Sequence, residues 1–206
     1  WLCLVIFRLQ LSYIHYVMYC VDMTRPRGYK QRTFEINALL KEHYPIVKCA
    51  LDHESPFQLL VATILSAQCT DKRVNIVTPN LFKAFPTPEK MAAASQTDVE
   101  LLIASTGFFR NKAKSIIGMS QKLISDFGGE VPQAMQDLVT LPGTGRKTAN
   151  VVRHVAFSLP GIPVDTHVTR LCHRLKITNE TDPVKIEYDL DQIIEPEDGG
   201  DFSLRL

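Results

Sequence analysis

The 206-residue chain is 45% hydrophobic and 22% charged, with a net charge of +1. That composition excludes a disordered chain, and the near-zero balance excludes a global basic field while leaving room for a local one. Its cysteines (Cys3, Cys20, Cys49, Cys69 and Cys172) are odd in number and form no C-x-x-C pair, which argues against a disulfide framework or a zinc site and for a reducing setting.

Residues 1–22 differ in character from the rest of the chain. Trp1 to Val21 is mostly apolar and aromatic, broken by Arg8, Gln10 and His15, and approaches the length of a membrane span. It has neither a basic opening nor an A-x-A cleavage site. Met23 and the basic run Thr24 to Arg32 look like a natural N-terminus, so residues 1–22 are expected to lie outside the fold, with no membrane partner.

Helical patterns then succeed one another. Residues 33–43 are expected to form an amphipathic helix with Phe34, Ile36, Leu39 and Leu40 on the apolar side. Ser55-Pro56-Phe57-Gln58 is a helix start, with serine as cap, proline first inside and glutamine two further on. The helix it opens is apolar nearly all round and should be central. It runs into the polar Gln68-Cys69-Thr70-Asp71.

Further helices are predicted over 71–84 and from Thr87-Pro88 through Ala94, and Thr97-x-x-Glu100 reads as a capping box. Gly107-Phe108-Phe109 leads into a long helix stopped by Gly128-Gly129. Adjacent phenylalanines commonly plug a core, but on a loop facing a duplex one can act as an apolar wedge. Residues 132–139 should form a short helix, and Asp165 and Asp182 should cap two more, ending near Leu175 and Ile194. The tail Glu195 to Asp201 is acidic and glycine-rich, and no period-two strand pattern occurs. The fold class is therefore all-α, with about ten helices.

The chemistry concentrates at Leu141-Pro142-Gly143-Thr144-Gly145-Arg146-Lys147-Thr148-Ala149-Asn150. Gly143 and Gly145 permit unusual backbone angles and close approach of a ligand. A glycine turn feeding a helix N-terminus offers N–H donors and a positive dipole end to phosphate. In the first turn, that dipole disfavours the charged form of Lys147, and burial would act the same way. A neutral amine can attack a sugar carbon and form a Schiff base. The following helix carries the chain ~18 Å away, and the loop 158–164 can span about 24 Å, so Asp165 can return towards the hairpin. There it could accept a proton or stabilise a cationic sugar. As a cap alone, it would do neither.

The blocks S-P-F-Q-L-L-V-A-T-I-L-S-A-Q-C-T-D, G-F-F-R-N-K-A, L-P-G-T-G-R-K-T-A-N-V-V and V-D-T-H-V-T-R-L occur in that order. Together they resemble the endonuclease III family of DNA glycosylases/AP lyases, in the helix-hairpin-helix glycosylase superfamily, over about residues 30–206. The resemblance implies a two-lobed fold with a cleft between a helical barrel and a partial second domain. It places an N-terminal helix (23–48) in the smaller domain, the barrel at 49–160 with the hairpin at 141–147, and an incomplete C-terminal domain at 161–206.

The implied activity is base excision repair in duplex DNA carrying damaged pyrimidines or abasic sites, by a cytoplasmic, nucleoid-associated monomer. Lys147 matches the lysine that displaces an oxidised pyrimidine and then cuts 3′ to the abasic sugar by β-elimination. Asp165 matches the assisting carboxylate. Gly143, Gly145 and Arg146 match the phosphate-gripping hairpin, Gln68 the residue that fills the gap of the flipped base, and Phe108 the wedge; His167 is a further DNA-binding position. Extruding a base requires such supports. The competing reading is a non-catalytic helix-hairpin-helix DNA-binding fragment.

The family usually carries a C-x6-C-x2-C-x5-C motif for a [4Fe–4S] cluster. Those four ligands are absent, Cys172 does not replace them, and no metal residue is assigned. The sequence therefore reads as a truncated form, lacking that motif and the preceding H-G-R block.

Overall fold

The computed structural model describes residues 26–206, so the apolar stretch 1–22 lies outside the described residues. Among these, eleven α-helices and one 3-10 turn are found and no strand, in agreement with the all-α expectation. We number them α1 (Tyr29–His43), α2 (Pro56–Ser66), α3 (Asp71–Ala84), α4 (Pro88–Ala92), α5 (Gln96–Ile103), α6 (Phe109–Phe127), α7 (Met135–Leu138), α8 (Arg146–Phe157), α9 (Thr166–Arg174), α10 (Pro183–Asp191) and α11 (Gly199–Arg205). The 3-10 turn, Ala104–Thr106, joins α5 to the loop before α6. No described helix is long and apolar enough to cross a membrane.

The chain forms two compact units. The larger comprises residues 46–163 and 195–205. Its centre is α2, where Leu59, Leu60, Val61, Ala62 and Leu65 have no exposed surface. A helix this apolar on every face needs neighbours on every face, and α3, α6 and α8 pack against it. Its start agrees with the sequence pattern: Ser55 Oγ accepts from the Gln58 N–H at 3.2 Å, and Gln58 Oε1 accepts from the Glu54 N–H at 2.9 Å. The long helix α6 ends as expected, on Gly128 and Gly129 with φ of 62° and 88°.

Two local expectations in this unit are corrected. The cap of α5 is Ser95, whose Oγ accepts from the Asp98 N–H at 3.1 Å, and not Thr97. The tail taken as an acidic glycine-rich segment contains α11. Gly199 and Gly200 are helical because α11 lies directly on its neighbours. A Cβ on Gly200 would fall 2.0 Å from the His154 ring, and one on Gly199 would fall 2.6 Å from Ile162. His154 Nε2 is 3.0 Å from Asp201 Oδ1, which ties α8 to α11.

The smaller unit comprises α1, α9 and α10. Its buried apolar side chains include Tyr29, Val168, Cys172, Ile177, Ile186 and Leu190. The expected face of α1 is corrected: Phe34 and Leu39 are 64% and 54% exposed, whereas Tyr29, Thr33 and Asn37 are buried. Thr33 tolerates burial because its hydroxyl donates to the Tyr29 carbonyl at 2.8 Å. Arg32 fastens α1 within the unit by donating from Nη1 to the Lys176 carbonyl at 2.6 Å.

Candidate active site

The hairpin is built by a short turn and a glycine that nothing else could replace. Thr144 donates its N–H to the Leu141 carbonyl at 3.0 Å, closing the turn across Pro142 and Gly143. Gly143 has φ +79°, and a Cβ there would lie 2.8 Å from Ser115 Cβ on α6. Backbone angle and packing both exclude a side chain.

Gly145 departs from expectation. Its φ of −88° and ψ of 176° are ordinary extended values, and nothing lies within 4 Å of where its Cβ would be. Neither strain nor neighbours among the described residues require glycine here. What its missing side chain leaves is open space at the mouth of α8.

That mouth also lacks a side-chain cap. Ser55, Thr70, Thr87, Ser95, Asp165 and Asp182 cap α2, α3, α4, α5, α9 and α10 with side-chain oxygens. α8 has no such cap. The positive end of its dipole therefore faces the hairpin without a carboxylate or hydroxyl from the N-cap residue.

Lys147 is the second residue of α8, and its side chain is exposed. The burial weighed for this side chain is therefore not found. Cys49 lies close enough to sense its charge. Burial pushes the Cys49 thiol up, the Leu51 backbone bond and Lys147 act downward, and Asp71 and Asp52 act upward.

One further turn along α8 sits a residue that the motif contains but whose role spacing did not reveal. Asn150 is 1% exposed, and its Nδ2 donates to the Ile162 carbonyl at 3.1 Å. A Cβ on Gly161 would come within 2.9 Å of Asn150 Oδ1. This amide therefore holds the loop that returns from α8, ending three residues before Asp165. The sequence signal was a polar residue one position from the buried Ala149 on an amphipathic helix, a pattern compatible with a solvent-facing side chain too.

Gln68 and Phe108 share an uncommon backbone. Both have positive φ, 52° and 47°. The left-handed region costs a non-glycine residue roughly 1–2 kcal/mol, and such positions cluster where geometry serves function. Both side chains are exposed, Phe108 by 65%. The adjacent phenylalanines have opposite fates: Phe109 is partly buried against the core and carries Arg110 over its ring at 5.3 Å, while Phe108 points to solvent.

Asp165 and His167 open α9 in the smaller unit. Asp165 Oδ1 accepts from the N–H groups of both His167 and Val168, each at 2.9 Å. The expected cap is present, and it occupies one carboxylate oxygen. His167 has Nε2 2.9 Å from the Leu206 carbonyl and Nδ1 3.0 Å from Arg170 Nη2. Because the guanidinium can only donate, these contacts assign the ring proton to Nε2. Gly143, Gly145, Arg146 and Lys147 are thus grouped in one hairpin of the larger unit, with Asp165 and His167 grouped in the other.

The described residues do not fit an iron–sulfur cluster. No group of three or more His, Cys, Asp or Glu is placed to hold a metal among them. Cys49 and Cys69 are partly buried, and Cys172 is fully buried, its thiol pushed up by burial to about 12. Cluster ligation requires thiolates, and burial of Cys49 and Cys172 favours the protonated form.

Residues 61–196 match the HhH-GPD superfamily base excision DNA repair protein family. Over 178 residues the sequence is 54% identical to the endonuclease III of Synechocystis sp., covering 86% of this chain and 81% of that protein. The chain belongs to the endonuclease III family. Two solved structures agree with it, each 41% identical over 85% of this chain and 83% of theirs. One is a non-covalent endonuclease III–DNA complex with a TM-score of 0.82. The other is a trapped endonuclease III–DNA covalent intermediate, an estranged-adenine complex, with a TM-score of 0.83. Membership makes the chain a base excision repair enzyme, a DNA glycosylase/lyase of helix-hairpin-helix fold.

Proposed function

We propose that this enzyme removes oxidised pyrimidines from duplex DNA through Lys147 and then cuts the strand 3′ to the abasic sugar. The observation that carries the reading is the mouth of α8. Lys147 stands exposed in its first turn, beside a Gly145 with open space and no capping side chain. This is the arrangement a backbone phosphate and a neighbouring sugar require. The gripping groups are the N–H donors around Gly143, Gly145 and Arg146.

In the first step the Lys147 amine attacks C1′ of the extruded nucleotide. A C–N bond forms, the glycosidic bond breaks, and the base leaves with its electron pair and takes up a proton. Opening of the sugar ring gives the imine. Loss of a C2′ proton then expels the 3′ phosphate, breaking the C3′–O bond. Asp165 accepts the amine proton and stabilises the cationic sugar. With Oδ1 held by two amides, its Oδ2 is the oxygen left for that work. Gln68 fills the space left by the extruded base, Phe108 wedges the opposite strand, and His167 lies along the DNA path. The helical barrel (49–160) and the flanking segments 23–48 and 161–206 act as two lobes on the duplex. The enzyme acts as a cytoplasmic, nucleoid-associated monomer, and no step is assigned to an iron–sulfur cluster.

The test is incubation with a duplex containing one abasic site. The reading requires a 3′ unsaturated aldehyde product from the wild type and none from Lys147→Ala. Binding without cleavage by the wild type would leave a DNA-binding module in place of the enzyme.

A further inference from the structure

Lys112 is 6% exposed, in the first turn of α6, and the chemistry above makes no use of it. A buried ammonium needs partners, and the partners found here are informative. Its Nζ donates to the Leu65 carbonyl at 2.8 Å and to the Thr106 carbonyl at 2.7 Å. Its own N–H donates to the Phe108 carbonyl at 3.1 Å.

Each carbonyl belongs to a turn that matters. Leu65 lies in the last turn of α2, where carbonyls lack helical partners, three residues before Gln68. Thr106 ends the 3-10 turn, two residues before Phe108. One buried cation therefore grips two of the four described turns that carry a side chain in left-handed backbone; Ser158 and Lys176 mark the other two. Such strained positions persist only where the surroundings hold them. Lysine suits the task because its three donors can address carbonyls on two segments far apart in sequence. Burial lowers the amine's proton affinity, and the nearby Cys69 raises it.

We propose that Lys112 is a positioning residue that fixes the spacing between the Gln68 and Phe108 turns, so that both side chains enter one duplex in register. This rests on the reading of those two residues as the gap-filler and the wedge. It assigns to Lys112 no contact with DNA and no part in bond making.

The test compares two substrates. One is a thymine-glycol duplex with 2-aminopurine beside the lesion, which reports extrusion. The other is a single-stranded abasic oligonucleotide, which needs none. Lys112→Met should slow base release from the duplex on the order of 10- to 100-fold and diminish the 2-aminopurine signal. Borohydride trapping on the single strand should remain within about 3-fold of wild type. In a Gln68→Ala/Phe108→Ala background the same substitution should add almost nothing, since it acts through those residues.

Wild-type duplex kinetics in Lys112→Met, equal losses on both substrates, or full additivity would each overturn the proposal. If Lys112→Met does not fold, the milder Lys112→Gln meets the same two substrates, and equal loss on both overturns it. Should Gln68→Ala/Phe108→Ala itself lose no duplex activity, the reading of the two turns fails and not the Lys112 geometry.

Discussion

Asn150 donates from Nδ2 to the carbonyl of Ile162 at 3.1 Å, and both residues are buried. This bond ties the Lys147 helix to the loop that leads away from it. Asn150→Ala leaves a buried carbonyl unpaired, which costs roughly 1–3 kcal/mol. Asn150→Asp puts a carboxylate against that carbonyl and should cost more. Urea midpoints of the two variants, read against wild type, check both the cost and the order.

The two hairpin glycines should separate cleanly. Gly143→Ala must place a Cβ 2.8 Å from Ser115 Cβ at φ +79°, so it should lose at least about 1–2 kcal/mol of stability. Gly145→Ala meets nothing within 4 Å among the described residues and should lose less than about 1 kcal/mol, yet under the proposed function it should obstruct the approach of phosphate. Melting curves should single out Gly143, and DNA affinity at fixed salt should fall for both.

Thr144 between them is 6% exposed, and its Oγ1 has no partner among the described residues. Thr144→Val keeps the shape and removes the stranded hydroxyl. It should gain about 1 kcal/mol, seen as a Tm higher by ~2–4 °C, with cleavage unchanged.

Burial raises the Cys172 thiol from 9.0 to about 12. Between those values the unfolded thiol ionises while the folded one keeps its proton. The unfolded state then binds fewer protons, so this contribution is complete below pH 9 and is lost as pH rises towards 12. The slope is at most about 1.4 kcal/mol per pH unit. Unfolding of Cys172→Ala should show a shallower alkaline decline than wild type from pH 8 to 11, and parallel curves would count against it.

The sequence carried much of this because local signals were strong. Ser55-Pro56, Gly128-Gly129 and Asp165 announced their helix ends through capping chemistry that needs no tertiary context. The hairpin and its lysine were legible as a motif. What escaped depends on neighbours distant in sequence. α11 contains glycines because the His154 ring fills the space of a Cβ. The buried face of α1 runs through Thr33 and Asn37, which hydropathy ranks below Phe34. Nothing local marks Lys112 as buried, because its partner, the Leu65 carbonyl, lies 47 residues away. Gly145 looked like a conformational glycine, and only its backbone angles show that it is not.

The central claim is that Lys147 forms the covalent bond to DNA. Borohydride reduction during reaction with a thymine-glycol or abasic duplex freezes the imine as a stable amine, and peptide mass spectrometry locates it. The account predicts one adduct, on Lys147, absent from a Lys147→Ala variant that still binds the duplex. An adduct on another residue, or none from a well-folded wild-type chain, would contradict it.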